Sequence, residues 1–129
     1  MNKNFKPNGY NSISPYLVVN GAQKMIDLLE KLFNAKKLRR YDMPDGTIMH
    51  VELQIDDSVI MIGDSSENFP PNIHLIHVYV SNVDEVFKKA INLGCISMET
   101  PSEKEGDPDR RGTFKDFAGN LWSVATQIQ

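Results

Sequence analysis

His50 and Glu52 stand two residues apart in the segment 47–55, Thr-Ile-Met-His-Val-Glu-Leu-Gln-Ile. In an extended strand that spacing turns both side chains to one face. An imidazole beside a carboxylate can do acid/base work, the ring carrying a proton near neutral pH and the carboxylate orienting it. The same pair would also serve a displaced divalent-metal site with His77 as a third member, or simply bond neighbouring strands. Tyr16 and Tyr79, at nearly corresponding places in the two halves of the chain, offer rings on which a planar ligand would stack or which pack within a sheet. The polar segment 105–112 reads as a lid loop. From it Arg110 or Arg111 would grip an anionic ligand through a bidentate fork, or stand solvated. His74, just past Pro70-Pro71, reads as exposed. Cys95 follows Gly94 with no cationic neighbour in sequence, which suits a buried strand residue better than a nucleophile.

The elements that position these groups follow from periodicity. In 47–55, Met49, Val51, Leu53 and Ile55 alternate with His50, Glu52 and Gln54. If the oily set lies under a helix, the polar set faces a concavity. A first strand over 13–19 carries Ser14, Tyr16 and Val18 on one face, and Pro15 places it near a sheet edge. Asn20 reads as the cap of a helix with Ala22, Met25, Ile26, Leu28, Leu29, Leu32 and Phe33 at helical spacing. Lys36, Lys37, Arg39 and Arg40 then read as a solvated basic face near a negative helix end. Asp45-Gly46 signals a hairpin between 38–43 and 47–55, and Asp56-Asp57 a tight turn into 58–63, where Val59, Met61 and Gly63 share a face. Beyond the connector 64–72 the pattern restarts. A strand over 73–80 carries Leu75, His77 and Tyr79 on one face. Ser81 or Asn82 caps a helix with Val83, Val86, Phe87, Ala90, Ile91 and Leu93 inward, and Gly94 closes it. Strands over 95–100, 112–116 and 120–127 complete the chain, with Leu121, Ser123 and Ala125 on one face and Trp122 on the core side.

Each half thus reads strand, helix, strand, strand, strand. Val19 before the first helix matches Val80 before the second at a shift of 61, and 59–62 superposes on 121–124 at a shift of 62. The chain is a duplicated unit of about sixty residues, with module one over about 12–64, module two over about 73–127 and an N-terminal arm over 1–11 that Phe5 and Tyr10 can tack down. Its 129 residues make one domain-sized core. A net charge of −3 argues against a general nucleic-acid or membrane-surface binder, which needs a basic excess. A single cysteine excludes an intrachain disulfide and a thiolate metal cluster. No apolar run approaches the roughly 18 residues of a membrane span, and the N-terminus has no hydrophobic signal segment. These features fit a cytoplasmic chain that contacts neither membrane nor nucleic acid.

Five segments carry a family likeness: Ser-Pro-Tyr-Leu-Val-Val-Asn-Gly-Ala (14–22), Asp-Gly-Thr-Ile-Met-His-Val-Glu-Leu (45–53), Asp-Ser-Val-Ile-Met-Ile-Gly-Asp (57–64), His-Val-Tyr-Val-Ser-Asn-Val-Asp (77–84) and Gly-Thr-Phe-Lys-Asp-Phe-Ala-Gly-Asn-Leu-Trp-Ser-Val-Ala-Thr (112–126). In this order the chain resembles the vicinal-oxygen-chelate superfamily of glyoxalases, bleomycin-resistance proteins and extradiol dioxygenases, within it the small bacterial glyoxalase-like branch, over about residues 12–127. The resemblance implies an α+β fold of two tandem βαβββ modules whose concave mixed sheets surround a cleft, a homodimer and a small organic ligand. In metal-dependent members the first and last strands of each module supply His, Glu or Gln ligands. Those positions fall here on Ser14, Met61, Leu75 and Ser123, none a good divalent-metal ligand. The expected function is therefore small-molecule binding of the bleomycin-resistance type without the usual metal and without another cofactor. The alternative is a divalent-metal-dependent lyase, isomerase or dioxygenase built around His50, Glu52 and His77. The residues expected at the ligand cleft are Tyr16, His50, Glu52, Met61, His77, Tyr79, Arg110 and Ser123.

Overall fold

The apolar run Tyr-Leu-Val-Val forms the first strand, β1 (Tyr16–Val19), of the computed structural model, which describes residues 4–129. The first three residues of the expected arm lie outside the described residues. After β1 come α1 (Ala22–Phe33), β2 (Lys36–Asp42), β3 (Ile48–Ile55) and β4 (Ser58–Asp64). The series then repeats as β5 (Leu75–Tyr79), α2 (Val83–Asn92), β6 (Ile96–Glu103), β7 (Asp109–Lys115) and β8 (Leu121–Gln127). The fold is α+β: two βαβββ modules, each with a four-stranded mixed sheet, ordered β1-β4-β3-β2 and β5-β8-β7-β6. The chain divides into two compact units between Asn72 and Ile73.

In the first unit, Leu17, Ile62 and Val51 are paired across β1, β4 and β3 and fully buried, as are Met25, Ile26 and Leu29 of α1. Removing such aliphatic side chains from water stabilises the unit by about 1.5–3 kcal/mol each. The next row, Tyr16, Met61 and Glu52, points to the other face because strand side chains alternate. In the second unit, Ile76, Trp122 and Phe114 form a row on the helix side, and Phe87 of α2 meets Phe114 edge to face at 6.3 Å. On its other face His77, Ser123 and Thr113 lie side by side, followed by Tyr79, Ala125 and Arg111.

Several expectations change on contact with the structure. β1 starts at Tyr16 rather than residue 13, but it is the edge strand that Pro15 implied. Asn20 does not cap α1. The cap position is Gly21 at φ 107°, a left-handed conformation that favours glycine, and the carboxylate of Asp64 accepts the Gly21 and Ala22 amides. Asn82 does cap α2, accepting from the Glu85 amide, and Gly94 is left-handed at φ 100°. The basic residues 36–40 belong to β2 rather than to a helix-end surface. Met49 is 54% exposed and Ile48 takes the buried place. The β2–β3 register steps from Tyr41↔His50 to Asp42↔Ile48, so Met49 is an extra residue bulged out of the ladder. Ile91, inside α2, and Leu93, just past its end at Asn92, are both exposed rather than inward, while Cys95 is buried. Residues 109–112 continue strand β7, so the lid loop shrinks to about 104–108, and Arg110 and Arg111 are strand residues.

Candidate functional site

Alternation along β3 and the bulge at Met49 together bring His50 and Glu52 out on the sheet face away from α1. The two side chains touch: His50 Nε2 lies 2.9 Å from Glu52 Oε2. On the other side of the ring, His50 Nδ1 is 2.8 Å from the Tyr16 hydroxyl. An ionised carboxylate can only accept, so Nε2 of the neutral ring carries the hydrogen and Nδ1 accepts the phenolic proton. The result is one directed chain, Tyr16 O–H to His50 to Glu52. Glu52 is anchored from its far side by the Tyr10 hydroxyl at 2.5 Å, and Arg39 Nε stands 3.9 Å from the same oxygen. The Arg39 guanidinium also lies over the Tyr10 ring, 5.5 Å from its centroid. Tyr41 flanks His50 with ring centroids 6.2 Å apart.

Electrostatics follow this geometry. Burial pushes the Glu52 carboxyl up, but hydrogen bonds from Tyr10 and His50 and the charges of His50 and Arg39 outweigh it, leaving the group below its ordinary value. Tyr16 is pushed up by burial and by the negative charge of Glu52. Tyr10 is pushed up by burial and by its hydrogen bond to the same carboxylate. Gly63, beside Tyr16, makes room for the backbone of the bulged Met49. A Cβ there would come 2.9 Å from the Met49 carbonyl oxygen and 3.4 Å from the Tyr16 hydroxyl.

The second unit places its expected residues differently. The register sets His77, not Tyr79, in the place of Tyr16, because His77 pairs with Ser123 as Tyr16 pairs with Met61. His77 and Tyr79 meet edge to face at 4.7 Å. The Tyr79 hydroxyl donates to Asp109 at 2.7 Å, and this bond pushes its own ionisation up. Arg110 is not a loop residue: its fork closes on both oxygens of Asp84, in the first turn of α2, at 2.9 Å each. Arg111 instead pairs with Asp107 and Asp109. The structure therefore brings Tyr16, His50, Glu52 and Met61 together in one unit, and His77, Tyr79 and Ser123 in the other. Arg110 is turned towards its helix. Cys95 is buried with its thiol pushed up to about 11, chiefly by burial and further by Asp116. The residue order does not point to Tyr10 or Arg39 at the site: Tyr10 reads as an anchor of the arm and Arg39 as part of a solvated basic face, whereas Gly63 reads on the same face as Met61.

The metal positions implied by the resemblance were tested against their own chemistry. Met61 offers a thioether, Ser123 a neutral hydroxyl and Leu75 no donor, while the Ser14 hydroxyl is buried without a hydrogen-bond partner among the described residues. This donor set does not suit a divalent metal. Among the described residues no three His, Cys, Asp or Glu side chains assemble as a metal-holding group.

Comparison with known proteins agrees with the fold. The profile of the Glyoxalase/Bleomycin resistance protein/Dioxygenase superfamily matches residues 9–124. The protein Rv0887c of Mycobacterium tuberculosis is 31% identical, over 92% of this chain and 75% of its own length. Mb0911c of Mycobacterium bovis is equally similar over 84% of its length. Among solved structures, TioX from Micromonospora sp. ML1 superposes with a TM-score of 0.76 at 22% identity, covering 92% of this chain and 99% of TioX. The fosfomycin resistance protein FosX from Listeria monocytogenes does so with a TM-score of 0.68 at 17% identity, covering 92% and 93%. Among the described residues no helix is long and apolar enough to cross a membrane. With a matching profile across most of its length and relatives alike over nearly all of it, this chain belongs to the glyoxalase/bleomycin resistance protein/dioxygenase superfamily.

Proposed function

We propose that this protein binds a small organic molecule on the sheet face of its first module, as a cytoplasmic homodimer and without a metal at the inherited positions. The observation that carries the reading is the row Tyr16–Met61–Glu52 with His50 bonded at both nitrogens. It presents one polar handle, the Tyr16 oxygen, beside a thioether and a side-chain-free glycine. Because the phenolic hydrogen is given to His50, the free lone pairs of that oxygen accept from the ligand. The ligand should then carry a hydroxyl, amine or amide N–H next to an apolar body. Superfamily relatives described as antibiotic resistance proteins, FosX among them, make small antibiotics a reasonable first panel.

The test is a fragment and antibiotic screen by amide chemical shifts. Ligands carrying a hydrogen-bond donor should move Tyr16, Met61 and Gly63 first, and Tyr16→Phe should weaken them. Shifts confined to β5–β8 would contradict the reading. Light scattering should give a mass near twice 14.6 kDa.

The rival, a divalent-metal enzyme using His50, Glu52 and His77, is favoured by the one feature that places an imidazole 2.9 Å from a carboxylate. It requires His50 to surrender a bond it already makes. Elemental analysis of protein purified without chelator decides: near-stoichiometric Zn, Ni, Mn or Fe would favour the rival.

A further inference from the structure

The order Tyr16–His50–Glu52 has a chemical meaning beyond ligand holding. A hydroxyl bonded to one imidazole nitrogen, with the other nitrogen oriented by a carboxylate, is the arrangement that activates weak oxygen nucleophiles. Here each bond has the required length, 2.8 Å and 2.9 Å. The orienting residue Glu52 is 5% exposed and tied down by Tyr10, whereas Tyr16 is 37% exposed and open to a reagent.

We propose that Tyr16 is a base-assisted nucleophile, with His50 as its proton acceptor and Glu52 as the positioning residue, taking small acyl- or sulfonyl-type electrophiles without a metal. In the step, Tyr16 Oη forms a bond to the electrophilic carbon or sulfur. The leaving group departs with its bonding electron pair, and the phenolic proton passes to His50 Nδ1. The ring becomes an imidazolium whose Nε2–H still faces Glu52, so the new positive charge arises beside a carboxylate. Proton and charge balance without an oxidant, reductant or further reactant. A free tyrosinate next to Glu52 would be disfavoured by that charge. Concerted transfer to His50 avoids it, which is why the acceptor must be within hydrogen-bond reach.

The chain supplies its own controls, because it has four tyrosines. Tyr41 and Tyr79 are more exposed than Tyr16, at 51% and 61%, and Tyr79 donates directly to a carboxylate with no imidazole between. Exposure alone would therefore label Tyr41 and Tyr79 first. The experiment treats the full chain with an aryl sulfonyl fluoride at neutral pH and maps sulfonylated tyrosines by mass spectrometry over time. Fluoride is the leaving group and the label is stable. Tyr16 should react at least about tenfold faster than Tyr41 in the same molecules, a threshold set below the roughly 10²–10⁴-fold usual for general-base assistance because Tyr16 is the less exposed of the two. A smaller preference overturns the proposal.

In His50→Gln, checked for a native-like far-ultraviolet spectrum, the Tyr16 to Tyr41 rate ratio should fall to that of an unassisted phenol. A ratio unchanged in the folded variant also overturns it. If the variant does not fold, the wild-type ratio alone decides. Glu52→Gln should lower the ratio and change the ring-nitrogen shifts of His50, which a purely structural carboxylate would leave in place. The labelling result is independent of whether a natural ligand binds this face, so it can fail while the binding proposal stands, and the reverse.

Discussion

The two modules are copies of one plan that now hold different chemistry at matching places. Tyr16, Met61 and Glu52 form the outer row of the first sheet; His77, Ser123 and Thr113 form the same row in the second. The first row is wired into a hydrogen-bonded chain through His50. In the second, a phenol and a carboxylate are present as Tyr79 and Asp109, but one and two rows further along that face and joined without an imidazole. Structural devices, by contrast, are shared. The N-terminus of α1 is held by Asp64 at the end of β4, and that of α2 by Thr126 near the end of β8. Positions that close the fold are equivalent in role in the two modules, while positions on the outer sheet face differ.

The largest effects should come from what the modules share. Leu53 and Phe114 are both fully buried. Leu53→Ala should cost about 2–5 kcal/mol and Phe114→Ala about 3–5 kcal/mol, measured by urea unfolding. A loss under 1 kcal/mol at either would mean that the matching rows do not carry equal weight.

Next is the helix fastening. Asp64 accepts three backbone amides, those of Gly21, Ala22 and Ile48, whereas Thr126 accepts one from Val83 and donates to the Val80 carbonyl. Asp64→Ala should cost about 1.5–3 kcal/mol as a charged acceptor. Thr126→Val should cost about 1 kcal/mol, the usual value of a lost cap. Thermal melts of the two variants would sharpen the comparison, and the reverse order would break it.

A smaller stability change, about 1 kcal/mol or less, is expected for His50→Ala, because Glu52 keeps its bond from Tyr10 and the histidine site admits water. The same variant should lose ligand-induced shifts at Tyr16. Large destabilisation without loss of binding would make the chain a structural brace.

The smallest effect is in acid. Glu52 is held below its ordinary value in the folded chain. It therefore contributes stability above the unfolded-state value, near 4.3, and loses that contribution as pH falls through its lower folded value. Glu52→Gln should flatten the acid limb of the stability curve in that window. Asp84 and Asp107 in the second module are also held low, by hydrogen bonds from Arg110 and Arg111, but Asp84 is largely solvated and its removal should change the curve less.

Much of this was legible in residue order. The alternation of Val51, Leu53 and Ile55 with His50 and Glu52 was enough to put imidazole and carboxylate on the outer face, and the repeat located the modules. Asn82 was readable as a cap because its partner is three residues away. What escaped depends on distant or irregular backbone. Asp64 reaches α1 from 42 residues along the chain, so the nearby Asn20 looked like the cap. Tyr10 finds Glu52 across the same separation, from a segment with no period to read. Met49 obeys the alternation in sequence, but the bulge inserts one residue and reverses its face. Arg110 looked like a loop residue because Gly106 and Pro108 interrupt the pattern, yet β7 begins at Asp109 and the fork to Asp84 turns Arg110 towards α2.

The central claim is that His50 transmits between a phenol and a carboxylate, and its ring nitrogens report this directly. Nitrogen-15 spectra of labelled protein, with the His50 signals identified by their loss in His50→Gln, should show Nε2 protonated and Nδ1 as acceptor in the neutral ring. Tyr16→Phe should move the Nδ1 resonance and Glu52→Gln the Nε2 resonance. A neutral ring protonated at Nδ1, or one averaging freely between both tautomers and indifferent to Tyr16→Phe, would contradict the account.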